Sequence, residues 1–225
     1  MHLKELIRAL KPHKTIPVTP WRANSLWDLS LTRVGILFFG LIIFGFGDAF
    51  VVQSNLGNAP WTVFAEGISQ RSGISLGLAT GLISIAVMLF WIPLKVKPGF
   101  GTLSNIVLIA IAIQIGVTYF PLQHSLISGI ASAIFGVALV GFGSSLYLTC
   151  ALGPGPRDGT MTGLHRVTGV RVGRVRLGIE VLVMSVGAGL GGRIGLGTAI
   201  FALFIGQSIA IFLGLVARLT KSPTA

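Results

Sequence analysis

Apolar residues run along this chain in stretches close to twenty long, separated by glycine-rich or basic connectors. A bilayer core about 30 Å thick is crossed by about 20 helical residues, since each rises 1.5 Å. Six stretches meet that length: 34–52, 74–94, 102–122, 125–152, 172–192 and 194–217. The first is interrupted only by Asp48. The fifth is weaker, because Arg174, Arg176 and Glu180 lie in its first half. Two further segments, 60–71 and 156–167, read as helices too short to span. Each opens on a proline, which suits the first helical turn because its missing N–H would have had no partner there. Each is followed by a glycine, Gly73 or Gly169, able to end the helix. They are expected as re-entrant or interfacial half-helices.

Composition narrows the class further. Charged residues make up 10% of the chain and hydrophobic ones 52%, with a mean hydropathy of +0.86. Soluble domains carry about 25% charged residues, so this chain cannot cover a water-exposed surface. The net charge of +11 does not point to nucleic acid, because the basic residues flank apolar runs or lie in an N-terminal arm, residues 1–32. Such flanking Lys and Arg orient membrane proteins. With the short segments not spanning and the N-terminus cytoplasmic, fifteen Lys and Arg fall inside and two, Arg71 and Arg193, outside. If the short segments spanned, the division would be thirteen to four. The expectation is a multi-pass protein of the inner (plasma) membrane with both termini cytoplasmic. The run after the basic arm is too long for a signal-peptide core, so the first span should be retained.

A shift of 96 residues lays the chain on itself without a gap. Gly40 meets Gly136, the GFG at 45–47 meets the GFG at 141–143, and Pro60 meets Pro156. Gly67, Gly73 and Gly77 meet Gly163, Gly169 and Gly173, and Gly99, Gly101 and Thr102 meet Gly195, Gly197 and Thr198. Two transmembrane repeats are therefore expected, over 33–122 and 125–219. Three spans per copy would invert one copy relative to the other, the architecture of many transporters with a midplane site. A parallel repeat with four crossings per copy is the competing geometry.

The segments LGNAPWTV at 56–63, KPGFGTLSN at 97–105, LGPGPRDGTMTGL at 152–164, RLGIE at 176–180 and GGRIGLGT at 191–198 resemble the YczE/YyaS/YitT-type family of small bacterial membrane proteins. The resemblance runs from about residue 33 to 217. It implies a polytopic inner-membrane protein without a firmly assigned reaction. The resemblance implies an Asp in many relatives where this chain has Thr62, and often another where it has Gln114, so a site built on those carboxylates would differ here.

Ionisable groups inside a membrane are costly and need a partner or a purpose. Arg176 and Glu180, four apart, share a helix face and suit either an intrahelical ion pair or a proton-coupling pair. Asp48 sits between Gly47 and Ala49, and its counterpart 96 residues on is Ser144. Arg157 and Asp158 open the second short segment, as Pro60 and Trp61 open the first. Two half-helix N-termini facing one cavity would offer free N–H groups to an anion, with Arg157 and Trp61 lining it and Glu66 a weaker candidate. The plain alternative makes Arg157 one more headgroup-facing cation. Thr102 and Thr198 are expected to cap the helices after the glycine-rich turns. The four histidines and the single Cys150 offer no metal site, and no cofactor or catalytic constellation is expected.

These readings give an all-α polytopic bundle of about six spans and two half-helices, built from inverted repeats in a lipid bilayer. Its expected role is a secondary transporter or facilitator of a small anionic or zwitterionic solute, not an enzyme. A membrane scaffold or regulator is the alternative, and a homodimer stays open.

Overall fold

The computed structural model describes residues 15–220 as an all-α membrane protein. Its helices are α1 (Leu31–Gln53), α2 (Pro60–Ser72), α3 (Leu76–Leu89), α4 (Trp91–Leu94), α5 (Phe100–Tyr119), α6 (Leu126–Cys150), α7 (Pro156–Thr168), α8 (Val172–Gly189) and α9 (Leu196–Leu219). Residues 1–14 of the basic arm lie outside the described residues. The rest of the arm packs on the chain's own helix ends: Thr19 Oγ1 donates to Thr149 O, Trp21 Nε1 to Thr149 Oγ1 and Ala23 N to Cys150 O.

Four helices, α1, α5, α6 and α9, are long and apolar enough to cross a bilayer, and the pair α2–α3, bent by 115°, makes a fifth if counted as one span. The expected six spans thus reduce to four or five on length and composition. The 74–94 stretch breaks because Pro93 has no N–H to donate and its ring crowds the carbonyl of Leu89. α3 therefore stops at Leu89, and its fourteen residues rise only about 21 Å. α8 carries Arg174, Arg176 and Glu180 within eighteen residues, which removes it from the apolar set.

α1 and α6 form the centre. They run antiparallel and touch through glycine: a Cβ on Gly40 would lie 2.9 Å from Gly143 O, and one on Gly47 would lie 2.7 Å from Gly136 O. Without side chains between them, the two backbones approach at dispersion distance. α5 lies along α1, and α9 along α6. Leu37, Leu41 and Ile113 cluster at the first contact with Cys150 of α6, while Val137, Val140 and Ile200 cluster at the second with Val51 of α1. α2 rests on α8 and α3, with Ala65, Ala79 and Val183 buried between them.

The two short helices end at 72 and 168, each on a left-handed glycine (Gly73 φ 73°, Gly169 φ 70°). Preceding them, Gly57 (φ 104°) and Gly153 (φ 114°) take turns open only to glycine at low cost. Gly101 N donates to Leu152 O at 2.8 Å, and Gly197 N donates to Leu56 O at 2.7 Å. Thr102 and Thr198 sit three residues after the N-caps Gly99 and Gly195. Each accepts the N-cap N–H at 3.2 Å, so they complete the caps from inside the first turn rather than occupy the cap position.

Candidate functional site

α2 and α7 start in the interior. Their N-caps, Ala59 and Gly155, have no side chain that can cap, and their first residues are Pro60 and Pro156. The ladder begins only at Val63 N to Ala59 O and Gly159 N to Gly155 O. Among the described residues, the N–H groups of Trp61, Thr62, Arg157 and Asp158 therefore have no acceptor. Both starts border one cavity of about 280 Å³, so two positive helix ends face the same space.

The side chains around it are mostly committed to one another. Arg176 Nε donates to Glu180 Oε1 at 2.9 Å, with the two side chains 43% and 24% exposed. Tyr147 OH donates to Asp158 Oδ2 at 2.9 Å. Arg157 differs. Its guanidinium carbon sits 5.0 Å from the centroid of the Trp61 ring, and none of its N–H groups has a hydrogen-bond acceptor among the described residues. Stacking on an aromatic face leaves the edge of the guanidinium free to donate in its own plane. The Trp61 Nε1 is buried and likewise lacks a partner. A half-buried guanidinium with free donors, beside two uncapped helix ends, can donate to an oxyanion, although the Asp158 and Glu180 carboxylates line the same cavity and Asp48 lies close behind it.

Of the residues singled out from the sequence, Pro60, Trp61, Arg157, Asp158, Arg176 and Glu180 all line this cavity. Asp48 does not. It is buried behind Thr62, whose hydroxyl donates to Asp48 Oδ2 at 2.7 Å, and Asp48 Oδ1 has no partner. Thr62 thus takes the place where the resemblance led one to expect an acid, and it serves the carboxylate already present on α1. Glu66 lies elsewhere. Its Oε2 accepts from Asn58 Nδ2 and Arg193 N, and its Oε1 from Arg193 Nε, each at 2.7 Å. It ties α2 to the turn before α9.

Sequence reasoning missed Tyr147, Thr80 and Ser84, which also line the cavity. A signal for the last two was available, since they stand 96 residues before Arg176 and Glu180. Tyr147, one of two tyrosines in the chain, stood out in an apolar span. Among the described residues, no three His, Cys, Asp or Glu gather as metal ligands.

Comparison with known proteins agrees with this membrane architecture. A family model described as a family of unknown function, DUF6198, matches residues 31–214. An uncharacterized protein of Haemophilus influenzae is 43% identical over 213 residues, covering 95% of this chain and 98% of its own. The uncharacterized membrane protein YczE of Bacillus subtilis is 32% identical, over 84% of this chain and 92% of its own. A second Bacillus subtilis protein, YyaS, also uncharacterized, is 24% identical over 80% and 91%. No solved structure matches.

Proposed function

The chain belongs to the DUF6198 family, homologous to YczE and YyaS, and from its central cavity we propose that it binds and carries a small anionic or zwitterionic solute across the inner membrane. In this reading it is a secondary transporter or facilitator and not an enzyme. One observation carries the proposal: the uncapped starts of α2 and α7 converge, with the hydrogen-bond-free guanidinium of Arg157, on a single internal cavity.

We further infer that the fold is an inverted duplication. Support comes from reciprocal contacts between positions 96 apart. Gly40 meets Gly143 while Gly47 meets Gly136; Gly101 bonds Leu152 while Gly197 bonds Leu56. Exchange of partners under a fixed shift is what a two-fold axis produces. The antiparallel run of α1 and α6 sets that axis across the helices, in the plane of the bilayer. The cavity lining repeats the pattern, with Phe44 and Val140, Pro60 and Pro156, Trp61 and Arg157, and Ile109 and Ile205 all present. On this arrangement α3 and α8 complete the crossings to six, with both termini cytoplasmic.

The test is binding and uptake by the purified protein in liposomes and nanodiscs. Arg157→Ala should weaken anion binding about 10- to 100-fold, the worth of losing charge-assisted hydrogen bonds, while membrane insertion and thermal stability persist. Unchanged binding and uptake in that variant would end the proposal.

A further inference from the structure

The two helix seams that flank the cavity are built differently. Between α3 and α5, Gly77 N donates to Gln114 Oε1 at 3.0 Å. A Cβ on Gly77 would collide with the Ala110 carbonyl and lie 2.6 Å from the Gln114 Cβ, and Gly81 faces Ala110. That seam is closed backbone to backbone. α8 and α9 hold the corresponding places 96 residues on, yet they hardly touch. Gly173 and Gly206, the counterparts of Gly77 and Ala110, have no atom within 4 Å of where a Cβ would stand. The counterpart of Gly81 is Leu177, 63% exposed. The counterpart of Gln114 is Ala210, whose methyl group cannot accept a hydrogen bond. The groups that close the first seam are missing from the second by sequence.

The cavity reaches the open seam, since α8 contributes Arg176 and Glu180 to its wall and α9 contributes Phe201, Ile205 and Ile209. Glu180 and Ile205 each lie ten residues from the 190–195 turn, about 15 Å along their helices. That is half the thickness of a hydrocarbon core of about 30 Å. With α8 and α9 both crossing, as proposed above, an opening at this depth leads to acyl chains, not to water. One wall of it carries charge near the Arg157 guanidinium, and the other is wholly apolar.

We propose that the cavity is loaded sideways, through the α8–α9 seam, by an amphiphile with an anionic head. The head sits against Arg157 and the starts of α2 and α7, and the hydrocarbon chain lies along Phe201, Ile205 and Ile209 and out between the helices. This rests on the anion-binding reading above and names its ligand class.

The probes are octyl phosphate and inorganic phosphate, applied to the full-length protein in phosphatidylcholine nanodiscs, with thermal stabilisation as readout. Octyl phosphate should stabilise at a concentration at least about tenfold lower than inorganic phosphate, because two buried methylenes already suffice for that factor. Arg157→Ala should move both responses to about 10- to 100-fold higher concentration. The double variant Leu177→Gly, Ala210→Gln restores the closing groups, and should bring the octyl phosphate response down to that of inorganic phosphate while the latter persists. Equal responses to the two probes in the unaltered protein would overturn the amphiphile and leave a water-soluble anion. No response to either would overturn the anion site itself. Oxidation of Gly206→Cys, in a Cys150→Ser background in native membranes, should leave a single-chain band. A cross-linked dimer there would show that a second copy covers the seam, and would also overturn the proposal.

Discussion

Gly136→Ala should be one of the more damaging single-methyl additions this protein can receive. A Cβ at Gly136 would stand 2.5 Å from Gly47 O, 2.8 Å from Val51 Cγ2 and 3.0 Å from Val51 N. Two of those three atoms are backbone and cannot rotate away. Relief requires α1 and α6 to part by several tenths of an ångström along the interface that holds the molecule together. A gap of that size forfeits a quarter to a half of each dispersion contact it opens, and overpacking of this kind costs about 1–3 kcal/mol. Gly35→Ala, in α1 with nothing within 4 Å, supplies the control. It should be neutral, or stabilising by up to about 1 kcal/mol, because Ala holds helix better than Gly. The expected difference between the two variants is thus about 1–4 kcal/mol. Reversible unfolding in mixed detergent and dodecyl sulfate micelles would measure it. Gly40→Ala, Gly47→Ala and Gly143→Ala should fall with Gly136→Ala. If Gly136→Ala is as mild as Gly35→Ala, the antiparallel glycine contact between α1 and α6 is wrong, and with it the two-fold axis drawn through it.

Glu66→Gln should lower stability by about 1–3 kcal/mol, toward the smaller figure because the Arg193 side chain is 45% exposed, and it should leave the anion response unchanged; loss of that response would move Glu66 into the site. The Asp28 carboxylate is held below its usual 3.8, chiefly by the Asn24 N–H and then by Arg33 against an opposing effect of burial. Its contribution is therefore present above pH 3.8 and lost as pH falls below that value. Acid titration of tryptophan fluorescence should show a transition there that Asp28→Asn removes, and an identical transition in the variant would assign it to another group. A single cysteine replacing Lys95, in the Cys150→Ser background, should react only from the cytoplasmic side; labelling from the outer side would favour the parallel arrangement with eight crossings.

What the sequence made legible follows from how local each determinant is. Pro60 and Pro156, with Gly73 and Gly169 behind them, announce both short helices to within a residue, because first-turn prolines and left-handed C-cap glycines act through the backbone alone. The break at Leu89 was equally local, yet hydropathy overran it: a window of apolar residues weighs Pro93 by its greasiness and not by its missing N–H. Tertiary commitments were less visible. Arg33 reads as one more cytoplasmic cation, whereas its guanidinium donates to the carbonyls of Trp21, Arg22 and Asp28 and pins the arm to α1. Glu66 and Arg193 are 127 residues apart, and only the fold brings them together. That left Glu66 a candidate ligand contact until its three hydrogen bonds were seen.

Under the proposed duplication, agreement and disagreement between the halves separate structure from chemistry. The positions that must agree for the helices to pack do agree: Gly40 with Gly136, Gly47 with Gly143, Gly57 with Gly153 and Gly101 with Gly197. Of the positions that face the cavity, Pro60 and Pro156 agree, as do Ile109 and Ile205, but others diverge in charge. Trp61 answers Arg157, Thr80 answers Arg176, and Ser84 answers Glu180. A chamber serving only to complete a bundle would have no reason to place cations and carboxylates on one side of its axis and hydroxyls on the other, since each intramembrane charge is costly. The seams diverge in the same sense, closed beside Thr80 and Ser84 and open beside Arg176 and Glu180. Polarity and access thus fall on the same half, as a binding site with one entrance requires. Sealing the seam and removing Arg157 should therefore both weaken the response to octyl phosphate, the first down to the level of inorganic phosphate.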